Sequence, residues 1–207
     1  MATAVREEVR EAILDAADRL LARYGYRKMT VEDIAREAGI GKGTVYLHFP
    51  SKEEVVLSRV DRMVERLKER LWAVARSDAD AAIRLRLMLL TRVLFRFDSV
   101  QHYTQSLDDV MAAVRPGLLA RRRSYFDDEA QIFAEVLNEG RDIGEFAFDD
   151  ALSTAYALLH ATNSLLPYSL STAELGEREE LKDRVTRIAD LILHGLLRKD
   201  VPLRKED

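Results

Sequence analysis

Hydrophobic residues recur every three or four positions along almost the whole chain, which is the period of an amphipathic α-helix. These segments predict helices over residues 7–24, between 30 and 39, and over about 42–49, 51–75, 81–97, 103–114, 116–140, 150–166 and 177–197. No segment alternates convincingly with the two-residue period of a strand. The pattern therefore predicts an all-α protein.

Residues with known end preferences stand at several of these boundaries. Gly25 lies where a left-handed C-cap belongs, and Thr30 can cap the second helix with Asp33 in its first turn. Ser51 begins another capping box, and Pro116 suits the first turn of a helix. These residues therefore predict where the helices begin and end.

Two short helices joined by a tight turn have the layout of a helix-turn-helix. The turn, residues 38–41, has Gly39 where the chain reverses. On the following helix Val45 and Phe49 are four residues apart and can face the core. Four side chains then lie on the solvent-facing arc: Thr44, Tyr46, Leu47 and His48. Such an arc suits a helix that docks in the major groove of DNA.

The string TVEDIAREAGIGKGTVYLHFPSKEE, residues 30–54, closely resembles the DNA-binding domain of the TetR family of transcriptional regulators. The resemblance is specific over about the first 55 residues. It implies an N-terminal three-helix DNA-binding domain, residues 1–54, with a helix-turn-helix. A long connecting helix, about residues 51–75, would join it to a C-terminal helical ligand-binding and dimerisation domain, residues 55–207.

The same resemblance assigns contacts with double-stranded operator DNA. The predicted DNA-binding residues are Thr30, Lys42, Gly43, Thr44, Tyr46, Leu47, His48 and Lys52. Thr30 and Lys52 are expected at phosphates, residues 42–44 at the groove floor, and Tyr46 and His48 at phosphates or a base edge. The chain departs from the family pattern at position 47, which is often polar; there Leu47 is expected to meet a thymine methyl group or nothing.

The C-terminal region is expected to form a homodimer through its last two long helices. Their apolar stripes are Leu152, Tyr156, Leu159, Asn163 and Leu166 on one, and Leu181, Val185, Ile188, Ile192 and Leu196 on the other. Stripes at helical spacing are usually intramolecular core. The dimer is therefore implied by the resemblance and by the two-fold symmetry of operators.

A small-molecule effector is also implied by the resemblance, and no cofactor is expected. Candidate ligand-binding residues are Trp72, Phe95, His102, Tyr103, Met111, Tyr125, Phe133, Tyr156, His160 and Asn163. His160 and Asn163 are the preferred polar contacts because they lie three residues apart on an otherwise apolar helix. A mostly apolar cavity predicts a hydrophobic or amphipathic effector.

Composition excludes several kinds of site and of protein. The chain has no cysteine, which excludes disulfides and thiolate metal sites. No apolar run approaches the ~18 residues of a membrane span, and the start lacks a signal-peptide core; a cytoplasmic protein with no membrane partner is predicted. The net charge is −4, yet residues 27–52 carry five basic and three acidic residues. That local excess permits DNA contact without demonstrating it.

Three acidic clusters and one basic run allow other interpretations. Residues 108–109, 127–129 and 149–150 are acidic, but no recognised metal-ligand spacing occurs, and the last pair resembles a helix cap. No metal site is predicted. The arginines at 121–123 are interpreted as a solvated face or as an interdomain or dimer contact.

The function predicted is a repressor released from a palindromic operator by a small ligand. Within regulation, an activator or a regulator without ligand control remains open. Two other classes are a dimeric interaction module that no longer binds DNA and an enzyme. No nucleophile elbow, zinc-protease motif or spaced carboxylate pair indicates an enzyme, and the glycines of residues 39–44 fail the spacing of a P-loop.

Overall fold

The computed structural model describes residues 2–101, 107–167, 169, 174 and 176–196. Within these ranges it contains eight α-helices and no β-strand. They are α1 (Ala2–Lys28), α2 (Val31–Glu37), α3 (Lys42–His48), α4 (Lys52–Ala75), α5 (Ala81–Val100), α6 (Leu107–Asp142), α7 (Ala151–Asn163) and α8 (Arg178–Leu196). None of the helices in this part of the chain combines the length and apolar character needed to span a bilayer. The all-α prediction is confirmed.

The helix-turn-helix forms because its polar residues cap the neighbouring backbone. The Thr30 hydroxyl accepts a hydrogen bond from the backbone N–H of Asp33, and the Asp33 carboxylate accepts one from the backbone N–H of Thr30, both at 3.1 Å. The chain reverses at Gly39, whose φ of 70° lies in the left-handed region that favours glycine. Ser51 caps α4 by accepting from the backbone N–H of Glu54 at 3.1 Å. The capping box at Thr30 is confirmed. Of the capping box predicted at Ser51, the structure shows the hydrogen bond that Ser51 accepts, while the Glu54 carboxylate binds Arg121.

Helix α1 is interrupted at Gly25, next to its predicted end, and one more helical turn follows the interruption. Gly25 has φ 72° and ψ 172°, which breaks the helix without forming the left-handed cap that the sequence suggested. The last turn then carries Tyr26 into the N-terminal core, where it is buried. Burial of this aromatic ring gives the extra turn a tertiary partner that the local pattern did not reveal.

Helix α6 replaces two predicted helices and runs through Pro116. The prediction of a break there was wrong, and the predicted start at residue 103 lies outside the described residues. A proline inside a helix removes one backbone hydrogen bond and crowds the preceding turn. However, Val114 is buried against the N-terminal helices, and Phe126 and Phe133 are buried in the C-terminal core. Packing on both sides of the proline offsets its local cost.

Helix α7 ends at Asn163, three residues before its predicted end. The chain is approaching Pro167, and a proline disfavours helical geometry in the residue before it. Leu165 and Leu166 remain buried in the turn that follows. Their hydrophobic character reflects this burial rather than a continuing helix.

The described residues bury two hydrophobic cores, and α6 contributes to both. The N-terminal core combines α1, α2, α3 and the start of α4 with Val110 and Val114 of α6. The larger core combines the rest of α4 with α5, α6, α7 and α8. Since α6 packs in both, the N-terminal helices are tied to the C-terminal part by more than the connecting helix. The domain boundary at residue 54 stays a prediction.

Helices α4 and α6 approach closely beside the N-terminal core. A Cβ added at Gly117 would lie 2.4 Å from Leu57 Cδ1, so glycine permits this contact between the helices. One turn farther along, Arg121 of α6 binds Glu54 and Asp61 of α4, at 2.6 Å each. The contact between α4 and α6 is therefore fixed by shape and by charge.

A buried ion network joins α5, α6 and α7. Glu129 accepts from Arg92 Nε at 2.7 Å and also pairs with Arg96. Arg92 donates in turn to the Thr162 hydroxyl at 2.9 Å and to the Leu159 carbonyl at 3.3 Å. Burial acts to raise the pKa of Glu129, but the attraction of Arg96 and Arg92 outweighs it and holds that pKa below its ordinary value.

Candidate DNA-binding surface and ligand cavity

The outward face of α3 consists of side chains that are available to another molecule. Val45 and Phe49 are buried in the N-terminal core, as their spacing predicted. Tyr46 is 47% exposed and Leu47 is 77% exposed. The helix thus presents one hydroxyl-bearing ring and one aliphatic group on a short convex edge. A major groove can accommodate such an edge.

Lys42 begins α3 and is already paired within the chain. Its ammonium binds the carboxylate of Glu32 on α2 and lies 5.7 Å from the centre of the Tyr46 ring. The hydrogen bond between them raises the pKa of Lys42 and lowers the pKa of Glu32. Both side chains are about half exposed, so water and salt screen the pair and it contributes little to stability. A phosphate could therefore take the place of Glu32.

Lys52 has internal partners that give it a positioning role. Its ammonium donates to the backbone carbonyls of Tyr26 and Met29, at 3.1 Å each, and lies 4.1 Å from the centre of the Tyr26 ring. These contacts hold the start of α4 against the connection between α1 and α2. A DNA contact by Lys52 stays a prediction. The hydroxyl of Thr30 is likewise occupied, because it caps α2.

No packing contact within the chain requires a glycine at position 43. A Cβ added at Gly43 would find no heavy atom within 4 Å beyond its own helical turn and its chain neighbours. Glycine inside a helix costs about 0.5–1 kcal/mol relative to alanine. The close approach of another molecule would explain the absence of a side chain, and the predicted groove floor supplies such an approach. Of the remaining predicted contacts on α3, Thr44 and His48 are half-buried.

A cavity of about 450 Å³ lies between α4, α5, α6 and the end of α7, a volume in the range of small-molecule sites. Most of the wall is apolar: Val60, Met63, Val64, Val100, Met111, Leu118, Leu119, Phe126 and Pro167. The wall also contains four arginines: Arg59, Arg96, Arg115 and Arg122. Helices α4 and α6 form two sides of the cavity and also enter the N-terminal core. A ligand here would thus touch helices that reach the DNA-binding surface.

Three of the predicted ligand-binding residues line this cavity: Met111, Tyr125 and Asn163. Tyr125 donates its hydroxyl hydrogen bond to Asp61 of α4. Burial and this bond raise the pKa of Tyr125, so the phenol is neutral at physiological pH. Asn163 stands at the end of α7 and supplies an amide to the wall. His102 and Tyr103 lie outside the described residues.

The other five predicted ligand-binding residues lie outside the cavity wall: Trp72, Phe95, Phe133, Tyr156 and His160. Phe133 is fully buried in the larger core. Trp72 lies two turns beyond the cavity on α4, with the guanidinium of Arg76 4.6 Å from its ring. Phe95 lines a separate groove between α1, α4 and α5. Four of the five, all but His160, pack in or against the larger core, a role that the sequence pattern could not separate from ligand contact.

Tyr156 and His160 lie on α7 before Asn163, and neither lines the cavity. Three residues along a helix rotate a side chain by about 300°, so His160 points about 60° away from Asn163. His160 is exposed and its ring centre lies 5.5 Å from that of Phe126. Tyr156 donates to Asp127 at 2.5 Å. Tyr156 shares the face of Asn163 but stands two turns before it, so distance along α7 rather than direction separates it from the wall. Ligand contact by these two residues stays a prediction.

The arginines of the wall are functional candidates that sequence reasoning missed. The basic run 121–123 was interpreted as one face, yet the structure gives its members three environments. Arg121 binds α4, Arg122 enters the cavity wall, and the side chain of Arg123 is 93% exposed. A usable signal was present, because Arg115, Arg122 and Phe126 share the spacing of one helical stripe.

The acidic clusters are divided among separate partners rather than gathered at one centre. Among the described residues, no group of three or more His, Asp or Glu side chains is placed to hold a metal ion. Asp109 binds Arg27 at 2.7 Å and Asp128 binds Lys68 at 2.8 Å. Asp150 caps α7 by accepting from the Ser153 backbone N–H at 2.7 Å. These acids connect helices or cap them.

The apolar stripes of α7 and α8 are only partly used inside the chain. Fully buried members are Leu159, Leu166, Leu181 and Val185; Leu152, Tyr156, Ile188, Ile192 and Leu196 are half-buried. Next to the stripe of α8, Leu191 is 76% exposed. An apolar outer face on these helices therefore remains accessible in the single chain.

Comparisons with known proteins agree with this arrangement. Residues 13–58 match the family described as bacterial regulatory proteins, tetR family. The chain is 28% identical over 157 residues to the HTH-type transcriptional repressor KstR2 of Mycobacterium tuberculosis, covering 74% of this chain and 76% of that protein. Among solved structures, a transcriptional regulator from Cytophaga hutchinsonii is similar with a TM-score of 0.75 and 23% identity, over 91% of this chain and 98% of that one. The SmeT–triclosan complex is similar with a TM-score of 0.67 and 22% identity, over 96% of this chain and 100% of that one.

Proposed function

The chain belongs to the TetR family of DNA-binding transcriptional regulators, and from that premise we propose that it is a homodimeric repressor released from a palindromic operator by a small ligand. The observation that carries DNA binding is the outward face of α3, with Tyr46 and Leu47 exposed on a helix held by two capped neighbours. Repression is supported by the similarity to KstR2, which is a transcriptional repressor.

On the DNA, α3 is proposed to enter the major groove with Gly43 at its closest approach. Lys42 would exchange Glu32 for a phosphate, since their ion pair is exposed and screened. Tyr46 would bind a phosphate or a base edge, and Leu47 would contact a thymine methyl group. Lys52 would bind the DNA backbone while it also keeps α4 in place.

The dimer is proposed to form through the outer face of α7 and α8. Two-fold operators need two copies of α3 at a fixed separation of one helical turn of DNA or a multiple of it, about 34–36 Å per turn. The half-buried Ile188 and Ile192 and the exposed Leu191 supply apolar area that a second copy would cover.

The dimer is tested by placing one charge on each of two equally exposed aliphatic positions. Leu191→Glu should convert the protein to a folded monomer in sedimentation velocity, because an unpaired carboxylate in an apolar interface is costly. Ile143→Glu is the matched control, since Ile143 is 74% exposed in the turn after α6, and it should remain dimeric. A wild-type protein that sediments as a monomer at micromolar concentration would contradict the proposal.

Release by a ligand is proposed to work through the walls shared by the cavity and the N-terminal core. Helix α4 lines the cavity with Val60 and Met63 and begins directly after α3. Helix α6 lines it with Met111 and Leu118 and buries Val110 among the N-terminal helices. A ligand that separates α4 from α6 would change the spacing of the two α3 helices. The SmeT–triclosan complex supports a small-molecule site in a protein of this fold.

Binding to DNA from the region upstream of the protein's own gene tests the proposed function. The protein should shift this fragment in a gel and protect two half-sites of a palindrome from cleavage. A bound effector should weaken the complex, and by linkage the effector must bind the DNA-bound dimer less tightly by the same factor. Failure to bind any upstream fragment, with dimers intact, would contradict operator binding. DNA binding that no cavity ligand alters would contradict release.

A further inference from the structure

The charge of the cavity wall differs from the charge of the chain. The chain as a whole carries a net charge of −4. The seventeen described residues that line the cavity include four arginines and neither an aspartate nor a glutamate. A concave, partly apolar surface with charge of one sign concentrates the electrostatic field and favours ligands of the opposite sign.

Three carboxylates of the described residues contact the wall, and each also binds an arginine outside it. Asp18 pairs with Arg59 and also with Arg62 at 2.7 Å. Asp61, which accepts from Tyr125, pairs with Arg121 at 2.6 Å. The third, Glu129, is shared between Arg96 and Arg92. A carboxylate shared in this way neutralises each arginine only in part.

The four arginines occupy different depths. Arg96 is buried and Arg59 is nearly so, and each is held in an ion pair that fixes its position. Arg122 extends over the ring of Phe126, 5.2 Å from its centre. Arg115 is exposed and lies two turns before Arg122, on the same face of α6. Arg115 and Arg122 therefore form the outer, adjustable part of the basic wall.

The apolar part of the wall lies among these cations rather than apart from them. Val64, Val100 and Phe126 are buried side chains of the wall, and Leu119 is exposed near Arg115. A ligand that fills the cavity must therefore satisfy an apolar surface and a positive one together. A neutral hydrocarbon would offer the guanidinium groups no oxygen atom to bind, and a small hydrophilic anion would leave the apolar surface uncovered.

We propose that the cavity binds an amphipathic anion, a molecule with an apolar body and one carboxylate or phosphate group, and that Arg115 and Arg122 bind the charged group. Guanidinium groups suit this task because they bind carboxylate and phosphate oxygens through paired N–H donors. The inference rests on the proposed function only in treating the cavity as the effector site.

Matched ten-carbon probes test the charge of the ligand. Decanoate, decyl phosphate, decanol and decyltrimethylammonium are titrated into the DNA-free full-length protein by calorimetry, each below its aggregation concentration. At least one of the two anions should bind about tenfold or more tightly than decanol, the effect of one charge-assisted contact, and the cation should bind weakest. Tighter binding of decanoate than of decyl phosphate assigns a carboxylate, and the reverse order assigns a phosphate.

Paired variants on α6 test the arginines. In Arg115→Gln/Arg122→Gln the preference for the anion over decanol should fall to within about twofold, while the affinity for decanol stays unchanged. Arg123→Gln is the control, because this neighbouring arginine points to solvent; it should keep the wild-type preference. Circular dichroism confirms that all variants are folded.

Four outcomes would overturn the inference: decanol binds as tightly as both anions, the double variant keeps the preference, Arg123→Gln loses it equally, or no probe binds. Because the titrations contain no DNA, they separate this inference from the proposed function. A protein that selects anions but binds no upstream DNA would retain the anion site and lose the repressor function. A protein that binds its operator but shows no preference for anions would retain the repressor function and lose the anion site.

Discussion

The DNA-binding surface and the ligand-binding region hold their charged groups in opposite ways. On the surface, Lys42 and Glu32 form an exposed pair between two short helices. In the interior, Arg92, Glu129 and Arg96 form a buried network across α5, α6 and α7. An exposed pair is screened by water and exchanges partners readily, whereas a buried network cannot lose one member without leaving a charge uncompensated. The first arrangement suits binding and release of DNA, and the second suits a fixed frame behind a cavity.

The two regions also differ in why each contains a glycine within a helix. Gly43 has open space where a side chain would stand, while a side chain at Gly117 would collide with Leu57. One glycine keeps a surface open to a partner, and the other brings two helices of the chain together. The same substitution at the two positions should therefore have effects of opposite sign.

Removing the carboxylate of the buried network should produce the largest loss of stability. Glu129→Gln is expected to lower the free energy of unfolding by about 3–5 kcal/mol, because both arginines keep their charge in a dry environment. Chemical denaturation followed by circular dichroism measures the change. Glu135→Gln, on the exposed side of the same helix, should change stability by less than about 0.5 kcal/mol. Equal losses of stability in the two variants would contradict the claim that the buried network, unlike an exposed charge, depends on each of its members.

The same carboxylate predicts a dependence of stability on pH. The pKa of Glu129 is lowered in the folded chain, so its contribution is complete above the unfolded pKa of about 4.3 and is lost as pH falls through the folded value. Below about pH 4.3, wild-type stability should therefore fall more steeply than that of Glu129→Gln. Parallel curves for the two proteins in thermal unfolding between pH 3 and 6 would show that the network does not hold an ionised glutamate.

Alanine at Gly117 should destabilise the contact between α4 and α6. The added methyl group must displace the buried side chain of Leu57, and overpacking of this kind costs about 1–3 kcal/mol. The loss is partly offset because alanine favours a helix over glycine. The double variant Gly117→Ala/Leu57→Ala should lose less free energy of unfolding than the two single variants added together, because the smaller side chain at position 57 leaves room for the added methyl group. Purely additive effects in denaturation experiments would argue against this contact.

Alanine at Gly43 should have the smallest effect on stability, and in the opposite direction. It is expected to stabilise the fold by up to about 0.5–1 kcal/mol, since nothing in the chain is displaced. Operator affinity should nevertheless fall, because the methyl group stands between the backbone and the groove floor. Fluorescence anisotropy with labelled operator measures this loss. A Gly43→Ala protein that is more stable and binds DNA as well as wild type would exclude a close approach at this position.

The difference between the regions also explains which features could be predicted. The caps at Thr30 and Ser51 and the reversal at Gly39 depend on residues two or three positions apart, so the local sequence contains all of their partners. The helix that passes through Pro116 depends on burial by elements distant in sequence, and the local signal predicted a break. The cavity could not be predicted from the local sequence either, because Arg59 and Arg122 come together only in the folded chain.

Charge was the second reason for the incomplete prediction of the cavity. Arginines on a helix are usually solvated, and Arg122 was grouped with its neighbours for that reason. Its position in the same helical stripe as Phe126 was already visible in the predicted helix over residues 116–140, and only Arg115 needed the continuous α6 to join that stripe. Aromatic residues such as Phe133 were favoured as ligand contacts, yet packing in the core accounts for them.

The measurement that tests the central account most directly is the operator affinity of two tyrosine variants, taken at several salt concentrations. Tyr46→Ala removes the exposed ring of α3, and Tyr24→Ala removes a ring of similar exposure on α1. If Tyr46 binds a phosphate or a base edge through its hydroxyl, its removal should weaken operator binding. The slope of log K against log salt should stay near that of wild type, because a neutral phenol displaces no counterion. Tyr24→Ala should match wild type in affinity and slope. Unchanged affinity in Tyr46→Ala, with the dimer intact, would contradict the assignment of α3 as the recognition helix.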